Sequence, residues 1–233
     1  MALREMVFSG KRDTSNPVVP GHKYMYHWVK KHAKGANILD VGCWTGAMEY
    51  FFSSDNVRIT GIDIQEAPLK VVRRKFPNYR FLKASVVERL PFRKNTFDAV
   101  MYFMVLEHVP RGTELVTLRN LNIVLKNNGR LFITTMHKNI KSIISDPAYW
   151  LGHRHYSEDE LRTLLELSGF KIKHIMYNGG YFTTLHIWLL YFFKHVLRRR
   201  EPRNKILDHL MARDYRNKGF VEIDILAIKQ KDV

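Results

Sequence analysis

Short apolar runs with little internal alternation punctuate the first 135 residues, Ala99-Val100-Met101-Tyr102-Phe103 being typical. Runs of this kind are strands covered on both faces, as parallel sheets require. Strands are predicted near 36–41, 57–62, 79–83, 97–102 and 129–135, with helices between them near 46–53, 66–75 and 113–126. Tyr24 to His32 forms a further helix stopped at Gly35, and residues 1–20, which hold Ser15-Asn16-Pro17 and Pro20, read as an extended lead-in. Strands alternating with helices make the class α/β and doubly wound. Ligands of such sheets lie beyond the carboxyl ends of the strands, where Asp40, Asp63, Ser85, Phe103 and His137 emerge.

The first strand ends in Ile38-Leu39-Asp40-Val41-Gly42-Cys43-Trp44-Thr45-Gly46. An apolar run closing on Asp-x-Gly-x-x-x-Gly turns tightly into a helix, and its glycines let backbone amides approach a bound molecule. Such turns also serve phosphates and plain packing. The next strand ends at Asp63, about 20 residues on, the spacing at which a carboxylate accepts ribose hydroxyls. Dinucleotide sites place a glycine where Trp44 stands, and an indole there blocks a pyrophosphate. The ligand expected is a nucleoside without phosphates.

Further segments follow in order. Leu90-Pro91-Phe92 precedes Asn95-Thr96-Phe97-Asp98-Ala99-Val100 and Val105-Leu106-Glu107-His108-Val109; then come Leu125-Lys126-Asn127-Asn128-Gly129-Arg130-Leu131, His155-Tyr156-Ser157 with Glu160-Leu161, and Ser168-Gly169-Phe170. With the glycine turn and Asp63, this series resembles the class I S-adenosylmethionine-dependent methyltransferases of the small-molecule type, over residues 36–172. The resemblance implies a seven-stranded, mostly parallel sheet whose last strand is antiparallel, with 219–228 as that strand, and a single domain over 1–233 with an aromatic and basic helical insertion at 181–218. It implies S-adenosylmethionine as cofactor, its methionine part on Asp40, Gly42, Cys43, Trp44 and Gly46, its ribose on Asp63, and its adenine on Ser85 and the backbone of Val86, with Ile64 and Phe103 alongside. Trp44 replaces a common glycine, and Ser85 stands where relatives carry an acid. Some quinone-precursor relatives hold a divalent metal through acidic residues near the Glu-His pair; Met104 takes the place of the first, so no metal is expected.

Methyl transfer from a sulfonium is an in-line displacement in which alignment alone contributes roughly 7–11 kcal/mol. A base is needed only where the nucleophile carries a proton at neutral pH, and histidine suits the task. Of the 11 histidines, His108 after the fourth strand and His137 after the fifth stand where the acceptor lies. Each has a plainer reading: Glu107 and His108 order a helix start, and His137 walls the acceptor pocket. His153, Arg154, His155 and Tyr156 form a polar cluster that lines the pocket or simply leads into a helix capped by Ser157 and Glu160.

Residues 181–197 are rich in aromatics and run into Arg198-Arg199-Arg200. The segment is too apolar for a surface helix, and too short and too broken by histidine and lysine to span a bilayer. Three readings stay open: a buried helix over the acceptor pocket, an interfacial helix on an anionic membrane, or a dimer interface. The net charge of +16 and a pI of about 9.9 favour an anionic partner. No added RNA-binding module is present, and Tyr102-Phe103-Met104-Val105 stands where base amino-methyltransferases carry Asn/Asp-Pro-Pro-Tyr/Phe, which lowers the nucleic acid reading. One cysteine, Cys43, rules out an internal disulfide. The start lacks a long apolar region, so no signal peptide and a cytoplasmic location, peripheral to a membrane at most, are expected. The function expected is methyl transfer to an oxygen of a small or lipid-linked acceptor such as a glycolipid, polyprenyl or quinone-like molecule. An RNA or protein methyltransferase and a non-catalytic cofactor-binding relative are the alternatives.

Overall fold

The structure, a computed structural model, describes residues 20–199, 202, 204–216 and 218–232. The lead-in at 1–19 and Arg200 lie outside them. Seven strands form one sheet: β1 (Asn37–Val41), β2 (Arg58–Asp63), β3 (Arg80–Lys83), β4 (Phe97–Phe103), β5 (Leu125–Met136), β6 (Phe170–Asn178) and β7 (Glu222–Lys229). Their order is β3-β2-β1-β4-β5-β7-β6. Only β7 runs against its neighbours, pairing antiparallel with β5 and β6. The order reverses between β1 and β4, which opens the crevice where such sheets receive ligands.

The unbroken apolar runs become two-sided burial. On β1, Ile38 packs with Met25, Trp28 and Val29 of α1 (Pro20–His32) and with Met48 and Phe52 of α2 (Ala47–Phe52). Its neighbours Leu39 and Val41 enter the opposite core with Leu118 and Leu121 of α4 (Glu114–Val124) and Leu161 and Leu165 of α6 (Glu158–Leu167). Successive strand side chains alternate faces, so a strand with helices on both sides must be apolar throughout. Each such side chain contributes about 1.5–3 kcal/mol of burial. α3 (Glu66–Lys75) covers the β2–β3 edge through Leu69 and Val72.

Two expectations are corrected, and one strand lies outside the pattern reading. The helix expected over 113–126 stops at Val124, because Leu125 already pairs with Phe97 of β4; the register then jumps, with Ala99 facing Arg130 and Asn128 at φ 61°. β6 escaped the apolar pattern because it is the sheet's outer strand, with Lys171, Lys173 and His174 exposed along it. The segment at 181–197 is not a buried helix. It forms α7 (Tyr181–Tyr191) and a π-helical turn (Phe192–Val196), followed by α8 (Lys205–Met211), and in α7 only Thr183 is buried. Polar bonds anchor α7, since Thr183 donates to Asp214 and the Thr184 hydroxyl meets that of Ser145 of α5 (Ile140–Ser145). Tyr181, Leu185, Trp188 and Leu190 are left outward, and Phe182, Ile187 and Leu189 are half-buried.

Candidate functional site

The glycine turn is built as its sequence requires. Gly42 and Gly46 have φ of 76° and 85°, which L side chains rarely adopt, and a Cβ at Gly42 would stand 2.5 Å from Val105 Cγ2. The amides of Gly42 and Cys43 both donate to Ile62 O, at 2.8 and 3.1 Å. Trp44 also takes a positive φ, 47°, so the indole stands on a backbone shaped for glycine. Its amide donates to Asp63 Oδ2 at 3.1 Å, and the amide of Gln65 donates to Asp63 Oδ1 at 2.8 Å. Asp63 thus ties the β1 turn to the β2 exit, and burial raises its pKa. The Ala84 amide donates to Asp63 O, which brings Ser85 to the same edge. Ile64 is exposed beside it.

Two of the expected residues belong to the core through their side chains. Cys43 packs with Leu69, Val72, Phe76 and Phe81, and Val86 enters the main core while its carbonyl accepts from Asn120. A residue the sequence reading missed lies beneath the turn: Glu49 of α2, fully buried, meets the Asp40 carboxyl. Burial, with the nearby Asp63 charge, pushes Asp40 up to about 7, and burial with the Asp40 charge pushes Glu49 well above the usual carboxylate value. Three carboxyls in low dielectric under one turn favour a cation above them. Its signal was present as an acid on the apolar face of a short helix.

Phe103 ends β4, stacked on Trp28 with ring centroids 6.2 Å apart. Beyond it Glu107 is buried and accepts from Thr135 Oγ1 at 2.8 Å, whereas His108 is exposed and stacks on His153 at 4.6 Å. His137 is half-buried after β5, its Nδ1 2.9 Å from Asn139 Nδ2 and its ring 4.8 Å from that of Tyr177; burial lowers its pKa. The polar cluster reaches the same edge. Arg154 donates to the carbonyls of Leu106 and Val109, Tyr156 donates to Leu106 O, and the capping box of Ser157 and Glu160 is present as well. The segment thus leads into a capped helix, as its plainer reading has it. The expectation of no metal rested on Met104; among the described residues, Glu107, His108 and His153, and likewise Asp146, His153 and His155, nevertheless bring ligand atoms within 4.8 Å of one another.

A doubly wound seven-stranded sheet with a reversed last strand, a glycine turn at the switch point and an acid closing β2 defines the fold of class I S-adenosylmethionine-dependent methyltransferases. Residues 39–133 match the family model described as a methyltransferase domain, and the fold around them is that of the class whose cofactor is S-adenosylmethionine. A "Ubiquinone biosynthesis O-methyltransferase" of Dechloromonas aromatica is 32% identical over 114 residues, 47% of this chain and 48% of that one. The protein of the same name from Pseudomonas paraeruginosa is 31% identical over 127 residues, 51% and 53% of the two chains. The chain thus spans about half the length of the curated relatives it matches. Among solved structures, a SAM-dependent methyltransferase from Archaeoglobus fulgidus superposes with a TM-score of 0.63 at 16% identity, covering 89% of this chain and 94% of that one. Geranyl diphosphate C-methyltransferase from Streptomyces coelicolor, solved with S-adenosyl-L-homocysteine, gives 0.62 at 17% identity, covering 89% and 77%.

A positively charged ligand above Asp40 favours its ionised form, so S-adenosylmethionine affinity should rise with pH, by at most about tenfold per unit below the Asp40 pKa of about 7, and level off above it. Calorimetry between pH 5.5 and 8.5 checks this, and S-adenosylhomocysteine, lacking the sulfonium charge, should show a shallower rise. Asp63→Asn should weaken binding about ten- to a hundredfold, ~1.5–3 kcal/mol for a charge-assisted hydrogen bond.

Proposed function

We propose that the chain transfers the methyl group of S-adenosylmethionine to a hydroxyl oxygen of a lipid-linked, quinone-like acceptor at an anionic membrane surface. The observation that carries this reading is an exposed apolar surface on α5, α7 and the turn between β5 and α6. Ile140 and Ile144 of α5, Trp150 of the 3-10 turn Pro147–Leu151, and Tyr181, Leu185 and Trp188 of α7 all stand outward, Trp150 at 80% exposure. α5 and α7 are joined through Ser145 and Thr184, and Lys141 lies over the Tyr181 ring. Arg198 and Arg199 are exposed at the end of the segment. Aromatics with adjacent cations suit the headgroup region of an anionic bilayer. Among the described residues no helix is long and apolar enough to cross a membrane. The quinone-like chemistry is supported by the names of the relatives.

The residues fit the cofactor through their charge, since Asp40, Glu49 and Asp63 surround the turn that a sulfonium-bearing nucleoside would occupy. When bound, the cofactor supplies an electrophilic methyl group. The Gly42–Gly46 turn would hold its methionine part, Asp63 its ribose, and Ser85 with the Val86 backbone its adenine, between Ile64 and Phe103. His108 and His137 flank the acceptor side. His137, lowered by burial, is neutral at physiological pH and offers a lone pair or a wall rather than a charge.

With labelled cofactor and decylhydroquinone in phosphatidylglycerol vesicles, label should enter the lipid phase; label entering added RNA or protein, or none at all, replaces this reading with one of the alternatives. His108→Ala and His137→Ala should each lower turnover tenfold or more at nearly unchanged cofactor affinity, as kinetics and calorimetry will report. Replacing Trp150 and Trp188 by Ser, or Arg198 and Arg199 by Gln, should reduce co-sedimentation with anionic vesicles while leaving cofactor binding intact.

A further inference from the structure

We propose that Arg154 is a positioning residue for the cofactor: by holding the loop after β4 it seats Val105 against the glycine turn, and so links the acceptor-side segment to S-adenosylmethionine affinity. The inference rests on the reading that this turn carries the cofactor's methionine part. The loop between β4 and α4 is irregular. Met104 takes a φ of 54° and donates its amide to Thr134 O at 2.8 Å, and one short 3-10 turn, Leu106–His108, follows. So short a turn satisfies few of its own carbonyls, and the rest need donors from elsewhere.

Arg154 supplies them. Its Nη2 donates to Leu106 O at 2.8 Å and to Val109 O, and its Nε donates to Glu107 O at 3.3 Å. Nη1 donates to the carboxylate of Glu114 at the start of α4, and the two side chains are only 11% and 15% exposed. A guanidinium presents its donors in a fixed planar fork, whereas the ammonium of a lysine, with three donors on one nitrogen, cannot span these four acceptors. Arg154 itself stands on a firm support. Two residues on, the Tyr156 amide donates to Met136 O at 2.9 Å and the Tyr156 carbonyl accepts from the Lys138 amide at 2.8 Å, which ties the segment to the exit of β5. The Tyr156 ring lies 5.6 Å from the guanidinium carbon, and its hydroxyl donates to Leu106 O at 3.0 Å.

The other end of the held loop reaches the cofactor turn. Val105 O accepts the His108 amide at 2.9 Å, and Val105 Cγ2 fills the space that a Cβ on Gly42 would need. Close-packed groups transmit displacement, so a loop released from Arg154 moves Val105 relative to Gly42. On the opposite side Arg154 follows Gly152, at φ 97°, and the turn that carries the exposed Trp150. One residue thus joins the outward surface, the acceptor edge and the cofactor turn, and by linkage any coupling between them runs both ways.

Arg154→Lys keeps the charge and loses the fork. By calorimetry it should weaken S-adenosylmethionine binding about tenfold, a usual size for coupling between sites. Val105→Ala should weaken binding too, and in that background Arg154→Lys should cost at most about threefold more, because the link to Gly42 is already lost. Equal losses in the two backgrounds, or wild-type affinity in Arg154→Lys, overturn the proposal. In the wild-type protein, saturation with S-adenosylhomocysteine should shift the Arg154 Nε–H resonance and slow exchange of the His108 amide. That measurement decides the matter should the lysine variant not fold, and signals that stay unchanged overturn the proposal. A wild-type protein that binds neither S-adenosylmethionine nor S-adenosylhomocysteine removes the reading of the turn instead.

Discussion

One carboxylate joins the two halves of the cofactor crevice. Asp63 accepts the amide of Trp44 from the turn after β1 and the amide of Gln65 from its own loop, and its carbonyl takes the amide of Ala84 after β3. Three loops from three strands are thereby fixed at one point. An ionised acceptor makes stronger bonds than a neutral one, and burial makes losing them costlier. The site's geometry depends on this arrangement, because it adds to the turn's own bonds a hold on the Trp44 amide, whose residue stands on a left-handed backbone.

Electrostatics divides the edge of the sheet into two regions. Under the glycine turn, burial pushes the carboxyls of Asp40, Glu49 and Asp63 up. At the far side, Asp146 and Glu107 flank His153, and Asp146 is pulled well below the usual carboxylate range despite its burial because His153 and His155 bond to it. Carboxyls awaiting a cation and carboxyls already paired with imidazoles behave oppositely in the same low dielectric.

The apolar surface on α5 and α7 follows from how those helices are attached. Hydroxyl and carboxylate bonds, from Thr183 to Asp214 and between Thr184 and Ser145, hold α7 to its neighbours, and these consume none of its grease. Leu185, Trp188 and Phe192 remain outward, beside Ile140, Ile144 and Trp150. These exposed apolar side chains on a basic chain are what the proposed membrane contact rests on.

Much of this was legible in the chain. The unbroken runs in β1 and β4, the glycine turn and the spacing to Asp63 depend on local conformation and on the period of side-chain directions, which a sequence records. They determined the α/β class, the location of the crevice and the kind of ligand. β6, the early start of β5 and the outward face of α7 were decided by tertiary structure, since edge position, register and attachment come from partners distant in sequence. The same holds for Glu49 against Asp40, and for His153 between Asp146 and Glu107. Carboxyls and imidazoles acquire their proton affinities from what surrounds them in space, and no spacing along the chain encodes the 3.9 Å between His153 Nε2 and Glu107 Oε1.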